Sequence, residues 1–268
     1  MSETKTFEEL FLSQSEEENL KVNHLKILII NNISSNYMYL IKLKEWQIEH
    51  QEYFDYIIYL GNFLSGSENK NQEDMKQLSN DEAEIGGLLS YLENLCLNII
   101  YIGGNNDSSS IFTQPYPNLT LRSLNLHNKF HKLANDLYIL GYGGNISQDK
   151  IDNELENTFS SLRQYIKENK NINNFHTIFI NNYFPHVQST NINNMNEVIY
   201  KNIIKNKQNK VFLNLNGNIN QKKGTEKDGN FTLINPGSIS EGEFAILNLE
   251  RDIINNLWKI QKIDYLII

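Results

Sequence analysis

The residues best placed to do chemistry are amides and small hydroxyls gathered at the ends of short apolar runs. Asn31-Asn32-Ile33-Ser34-Ser35-Asn36 follows Lys26–Ile30, Gly61-Asn62 follows Asp55–Leu60, and Gly103-Gly104-Asn105-Asn106-Asp107 follows Leu97–Ile102. Asn181-Asn182 follows Thr177–Ile180, Gly217-Asn218-Ile219-Asn220 follows Val211–Leu215, and Asn235-Pro236-Gly237-Ser238 precedes Phe244–Leu249. Amide oxygens join the shell of a hard cation, usually beside carboxylates. Amides also read polar ligands without ionic help. Asp107 is the one acid in these loops, and its expected role is to cap the turn or helix that follows. The stretch Gly103–Ser110 is small and polar like a phosphate cradle, but it lacks the Walker Lys and the GxGxxG spacing, so a plain turn is expected.

Other reactive groups give less. The six histidines are His24, His50, His127, His131, His176 and His186. His127 and His131 are four apart, a spacing that would put them on one helix face, yet two ligands without a third make no zinc site. His186 follows the Asn182 loop, and no Gly-x-Ser-x-Gly elbow occurs. Cys96 is the single cysteine, expected on the apolar side of a helix as a packing residue.

The elements that must position these loops are legible from periodicity. The runs Lys26–Ile30, Asp55–Leu60 and Leu97–Ile102 read as buried strands. Between them Tyr39, Leu40, Leu43 and Trp46, and then Ile85, Leu88, Leu89, Leu92 and Leu95, recur at helical spacing. Strand, helix, strand, helix, strand is the order of parallel βαβ units, whose ligands bind at the carboxyl ends of the strands. Residues 65–82 read as a polar loop. Asp136–Gly141 is a strand, a helical segment follows over roughly 149–168, and Thr177–Ile180 is a strand. A helix is expected over about 194–207 and a strand at Val211–Leu215. Phe231–Asn235, Phe244–Leu249 and Leu257–Tyr265 close the chain, and their mixed spacing predicts a second sheet packed on the first. No internal repeat or linker divides the chain.

Composition narrows the partners. With 24 basic and 32 acidic residues the net charge is −8, which argues against nucleic acid or an anionic membrane as partner. A lone cysteine permits no intrachain disulfide and suits a reducing compartment. Residues 1–24 read as an acidic extension with no secretory or transit pattern, and no apolar run is long enough to span a bilayer. Asparagine makes up roughly 16% of the chain, several times an ordinary share, as an AT-rich protist genome produces.

In order, spacing and flanking strands, the loop series resembles the calcineurin-like metallophosphoesterase superfamily over about residues 25–250. The resemblance is to the branch whose motifs end in an Asn-Pro-Gly-Ser turn. That family's motifs run Asp-x-His, Gly-Asp, Gly-Asn-His-Asp, His and Gly-His-x-His. This chain reads Asn32-x-Ser34, Gly61-Asn62, Gly104-Asn105-Asn106-Asp107, Asn182 and Gly217-Asn218-x-Asn220. The resemblance implies an α/β fold, a sandwich of two β-sheets flanked by helices, with one phosphoesterase domain over 25–268 including the C-terminal strands. It also implies that Asn32, Ser34, Asn62, Asn105, Asn182, Asn218 and Asn220 hold the positions of metal ligands, and Asn106 that of a catalytic His. Only Asn105 keeps the family's residue type.

Two divalent cations about 3.5–4 Å apart repel each other by roughly 17–19 kcal/mol at an effective dielectric near 20, which anionic ligands must offset. These ligand positions carry no formal charge and no imidazole. The expectation is therefore a catalytically inactive relative, a pseudoenzyme without cofactor, serving as a structural or protein-binding subunit of a larger cytoplasmic assembly, cytoskeletal or ciliary in form. The acidic extension and the tail Tyr265-Leu266-Ile267-Ile268 are its candidate docking elements. Two alternatives stand beside it: a sensor whose amide-rich pocket binds a nucleotide or phosphate, and a residual metal-dependent phosphohydrolase relying on Asp107 and His186.

Overall fold

The computed structural model describes residues 22–65, 75–108, 112, 119–144, 148–169, 174–182, 206–217, 223–229 and 231–268. The acidic extension through residue 21, most of the helix expected over 194–207, and the positions Asn218, Asn220 and His186 lie outside them.

Among the described residues twelve strands form two six-stranded sheets. The first has the order β12-β11-β1-β2-β3-β4, with β1 at His24–Ile30, β2 at Tyr56–Tyr59, β3 at Ile99–Tyr101, β4 at Ser123–Asn125, β11 at Glu243–Asp252 and β12 at Leu257–Ile267. β1 to β4 run parallel, and β11 and β12 are added antiparallel at the β1 edge. The second sheet has the order β5-β6-β7-β8-β10-β9, with β5 at Lys129–Ala134, β6 at Leu137–Tyr142, β7 at His176–Asn181, β8 at Val211–Asn216, β9 at Gly224–Asp228 and β10 at Phe231–Asn235. Its four central strands are parallel and both its edges antiparallel.

Alternation along the strands builds three apolar layers, because side chains of successive residues point to opposite faces. Ile27, Ile29, Ile58 and Ile100 of the first sheet meet Ile139, Ile178, Leu213 and Ile234 of the second between the sheets. Leu28, Ile30, Ile57 and Tyr59 face outward against α1 (Tyr37–Glu49) and α2 (Met75–Leu92), through Leu40, Leu43, Leu88 and Leu92. Leu140, Phe179 and Leu233 face outward from the second sheet under Leu155 and Phe159 of α3 (Gln148–Glu168). Strands covered on both faces read as unbroken apolar runs, which is why they stood out in the sequence.

Several expectations need correction. Phe244–Leu249 and Leu257–Tyr265 join the first sheet rather than the second, and of the three closing strands only Phe231–Asn235 belongs to the second. Strand spacing carries no information about which edge a late strand will pair with. Helix α2 begins at Met75, inside the stretch read as a loop, because its early turns are polar and its buried face starts at Ile85. Cys96 is buried, but it lies in the turn after α2 rather than on the helix. The C-terminal tail is the end of β12, where Leu266 and Ile268 pack beneath the first sheet's outer layer and Ile267 stays exposed.

Candidate functional site

The loops after β1 and β2 are bound together by their backbones, and the β3 loop lies close against them. Asn32 N–H donates to Gly61 O at 3.0 Å, Ser34 N–H to Asn62 O at 3.2 Å and Ser35 N–H to Phe63 O at 2.8 Å. The closeness depends on glycine: a Cβ on Gly61 would stand 2.5 Å from the Gly104 nitrogen, and one on Gly104 2.1 Å from that of Asn62. Asn32 and Asn62 themselves adopt positive φ, 58° and 61°. Asn is among the few side-chain-bearing residues that enter this region at low cost.

The side chains at the predicted positions are engaged with their own protein. Asn32 Nδ2 donates to Ser238 Oγ at 2.8 Å and Ser240 Oγ at 3.3 Å, while its Oδ1 accepts from Ser34 Oγ at 2.8 Å. Asn62 Oδ1 accepts from Asn106 N–H at 3.2 Å. Asn182 Nδ2 donates to Leu60 O at 2.5 Å and Gly217 O at 3.1 Å. Thus Asn32 is brought to Ser34, Asn62 to Asn106, and Asn182 to the end of β2 and the residue before Asn218. Asn105 is exposed on its turn.

The sequence suggests that Asp107 caps the turn or helix that follows; residues 109–111 and 113–118 lie outside the described residues, and the bonds described for Asp107 run elsewhere. It is buried and reaches back and sideways. Its Oδ2 accepts from Gly104 N–H at 2.7 Å and Asn62 N–H at 2.9 Å, and its Oδ1 from Leu64 N–H at 3.0 Å. Burial raises its pKa to about 6, and the backbone donors pull the other way. The carboxylate therefore pins the β2 loop to the β3 loop. Tyr59 adds a second pin: its hydroxyl accepts from Ile33 N–H and donates to Asn62 O, both at 3.0 Å. Burial holds that phenol well above its usual range.

Ser240 and Tyr59 carry no mark in the sequence, and Asn31 stands there only as a member of the first loop. Asn31 Nδ2 donates to Gly217 O at 2.8 Å, so it ties the β1 loop to the end of β8. The doubled Asn31-Asn32 was the available signal; Tyr59 sat unmarked in an apolar run.

His127 and His131 do not share a helix. His127 lies in the turn before β5 and His131 on β5, both buried, and burial lowers each pKa to about 4. His127 Nδ1 accepts from Gly143 N–H at 3.2 Å, as a neutral ring can.

A dinuclear metal centre does not fit the donors described. Asn32, Ser34, Asn62 and Asn182 are neutral, each has a polar side-chain atom bonded within the protein, and the Asp107 carboxylate accepts from three backbone amides. Among the described residues no three of His, Cys, Asp and Glu come together.

Two packed sheets with helices outside and loops gathered at the carboxyl strand ends define an α/β sandwich of phosphoesterase type. The family model described as metallophosphoesterase, calcineurin superfamily, matches residues 20–257, and the chain belongs to that family. No curated protein matches it. Among solved structures it is similar to the TT1561 protein of Thermus thermophilus, with a TM-score of 0.57 and 17% identity over 89% of this chain and 98% of that one. It is also similar to a dimetal phosphatase from Danio rerio, with a TM-score of 0.53 and 9% identity over 85% of this chain and 93% of that one. At these identities the likeness concerns the fold.

Proposed function

We infer that this member of the family is catalytically inactive, and that it serves as a structural or protein-binding subunit of a larger assembly. The observation that carries the reading is the commitment of Asn32, Asn62 and Asn182 to internal hydrogen bonds, with Asp107 bound to three backbone N–H groups. A hydrolytic centre needs groups that are anionic or imidazole and free to turn toward a metal. Asn62 stands where a bridging carboxylate is required, and it offers no charge to offset the repulsion between two cations. Asn106 stands where a general acid is required, and an amide has no proton to give at neutral pH. With catalysis gone the fold remains useful as a shaped surface, since function resides in sites placed on folds.

The partners in this reading are proteins. A net charge of −8 disfavours polyanions, and no helix of the described residues is long and apolar enough to cross a membrane. A free, buried cysteine suits the cytoplasm, in an assembly of cytoskeletal or ciliary kind. The test is hydrolysis of bis(p-nitrophenyl) phosphate and p-nitrophenyl phosphate by the full chain with Mn²⁺. The reading expects no turnover above the buffer rate. Mn²⁺-dependent turnover that disappears in Asn62→Leu would overturn it.

A further inference from the structure

The first sheet has a second end. Where β2 and β3 begin, opposite the loops just described, the chain leaves a groove of about 380 Å³ between the end of α1 and the turn after α2. Leu95 and Cys96 form its buried floor, and Ile48, Tyr53 and Leu97 rise from its walls. Those three are 64%, 82% and 59% exposed, and each comes from a different segment. Leu121, 72% exposed, stands alongside, because the next residue, Arg122, donates its N–H to Glu93 Oε1 at the groove wall. Single exposed apolar residues need no explanation, but convergence of several around a concave surface marks an interaction site.

The electrostatics indicate the occupant. Helices α1 and α2 both end at this groove, and neither has a basic residue in its last turn. A helix C-terminus carries partial negative charge, so two converge here. Lys44 Nζ donates to Asn94 O at 2.6 Å and Gln47 Nε2 to Leu95 O at 2.9 Å, which satisfies two of the carbonyls after α2. Glu93, Glu52 and Lys44 line the groove and Glu49 is exposed at the end of α1; Lys26 pairs with Glu52 and Lys44 Nζ sits on Asn94 O, so that among the described residues Glu49 and Glu93 form no ion pair and keep the rim negative. An apolar slot with a negative rim fits an apolar anchor flanked by cations.

We propose that this groove is a docking site for a short segment of another protein, in which leucine or aromatic anchors are set among lysines or arginines. The proposal rests on the reading of the chain as a protein-binding subunit and names the surface that does the binding. The anchor fills the space over Leu95 and Cys96, Tyr53 and Leu97 close on it, and the flanking cations meet Glu49, Glu93 and the helix ends. Helix-in-groove and extended-peptide recognition both use such anchors.

The test uses the full chain and a fluorescein-labelled twelve-residue peptide carrying two leucines and one tryptophan among lysines. A control peptide has each lysine replaced by glutamate. Fluorescence anisotropy should show micromolar binding of the basic peptide that weakens with salt, and at least roughly ten-fold weaker binding of the acidic one, about one decade in affinity. Tyr53→Ser with Leu97→Ser should weaken the basic peptide by a similar factor while the circular dichroism and melting temperature stay unchanged, since both residues are exposed. Glu49→Gln with Glu93→Gln should reduce the salt dependence. Equal affinity for the two peptides, binding unmoved by the Tyr53 and Leu97 substitutions, or no binding at millimolar peptide would overturn the proposal. Self-association in sedimentation velocity that the same substitutions abolish would also overturn it, by assigning the groove to a second copy. The groove lies at the far end of the sheet from the Asn32 and Asn62 loops. Mn²⁺-dependent hydrolysis would therefore defeat the functional reading without moving these binding curves, and the two failures remain distinguishable.

Discussion

Replacing Asp107 by Ala removes the acceptor for three buried backbone N–H groups, those of Asn62, Leu64 and Gly104. A hydrogen bond to a charged acceptor contributes about 1.5–3 kcal/mol, so three lost bonds set a gross cost of roughly 4–9 kcal/mol. Part of this is offset, because burying the carboxylate is itself unfavourable. A shift from 3.8 to about 6 corresponds to about 3 kcal/mol at neutral pH. Water entering the opened loops relieves some of the rest, which leaves a net loss of about 2–4 kcal/mol. Urea unfolding at pH 7 measures it as a drop in midpoint with the slope unchanged. A change below about 0.5 kcal/mol, the scale of an ordinary surface substitution, would refute the idea that Asp107 pins the loops.

The pH dependence gives a second arm with a definite sign. The folded-state pKa lies above the unfolded value, so the folded chain holds the extra proton between pH 3.8 and about 6. Stability from this group is fully present below pH 3.8 and is lost as pH rises through 6. Relative to Asp107→Asn, which does not titrate, the wild type should therefore be favoured by about 2.4 kcal/mol more at pH 4 than at pH 7. A gap that widens with rising pH would mean that the amide donors outweigh burial.

Asn214 of β8 is buried beside its register partners Phe179 and Leu233, and neither of its amide atoms has a hydrogen-bond partner among the described residues. Asn214→Leu, similar in size, should raise stability by about 1–3 kcal/mol in urea unfolding; a loss would show that the amide is paired in solution. His131, neutral because burial lowers its pKa to about 4, stabilises the fold fully above pH 6.5 and loses that contribution as pH falls through 4. The wild type should lose about 3 kcal/mol more than His131→Gln between pH 7 and pH 4; parallel curves would contradict the assignment.

Much of this architecture could be read from the sequence because both sheets are covered on both sides. Continuous runs such as Ile57–Tyr59 and Ile178–Ile180 stand out from an Asn-rich background, and the loops that follow them keep the family's order. What escaped is what a strand pattern cannot encode. β5, with the sequence Lys129 to Ala134, mixes charge with apolar residues because it lies at an edge, and β9 is polar for the same reason. The placement of β11 beside β1 is a matter of long-range pairing, with His24 opposite Glu250.

At the site the residue types were legible and their partners were not. Asn32, Asn62 and Asn182 could be located by motif position, yet their bonds to Ser238, Asn106 and Leu60 cross up to 206 positions of chain. The nearest neighbours of Asp107 suggest a cap, a role Asp commonly takes. Two of the three bonds described for it go to residues 43 and 45 positions earlier, a reach that local pattern does not encode.

On the function proposed above, these loops hold no dinuclear metal centre. The most direct measurement is metal content by mass spectrometry, after the full chain is incubated with excess Mn²⁺ and Zn²⁺ and desalted. The predicted result is well under one equivalent of either metal per chain. Two tightly held equivalents would contradict it, and would mean that the amides at Asn32, Asn62 and Asn182 turn away from their present partners to coordinate metal.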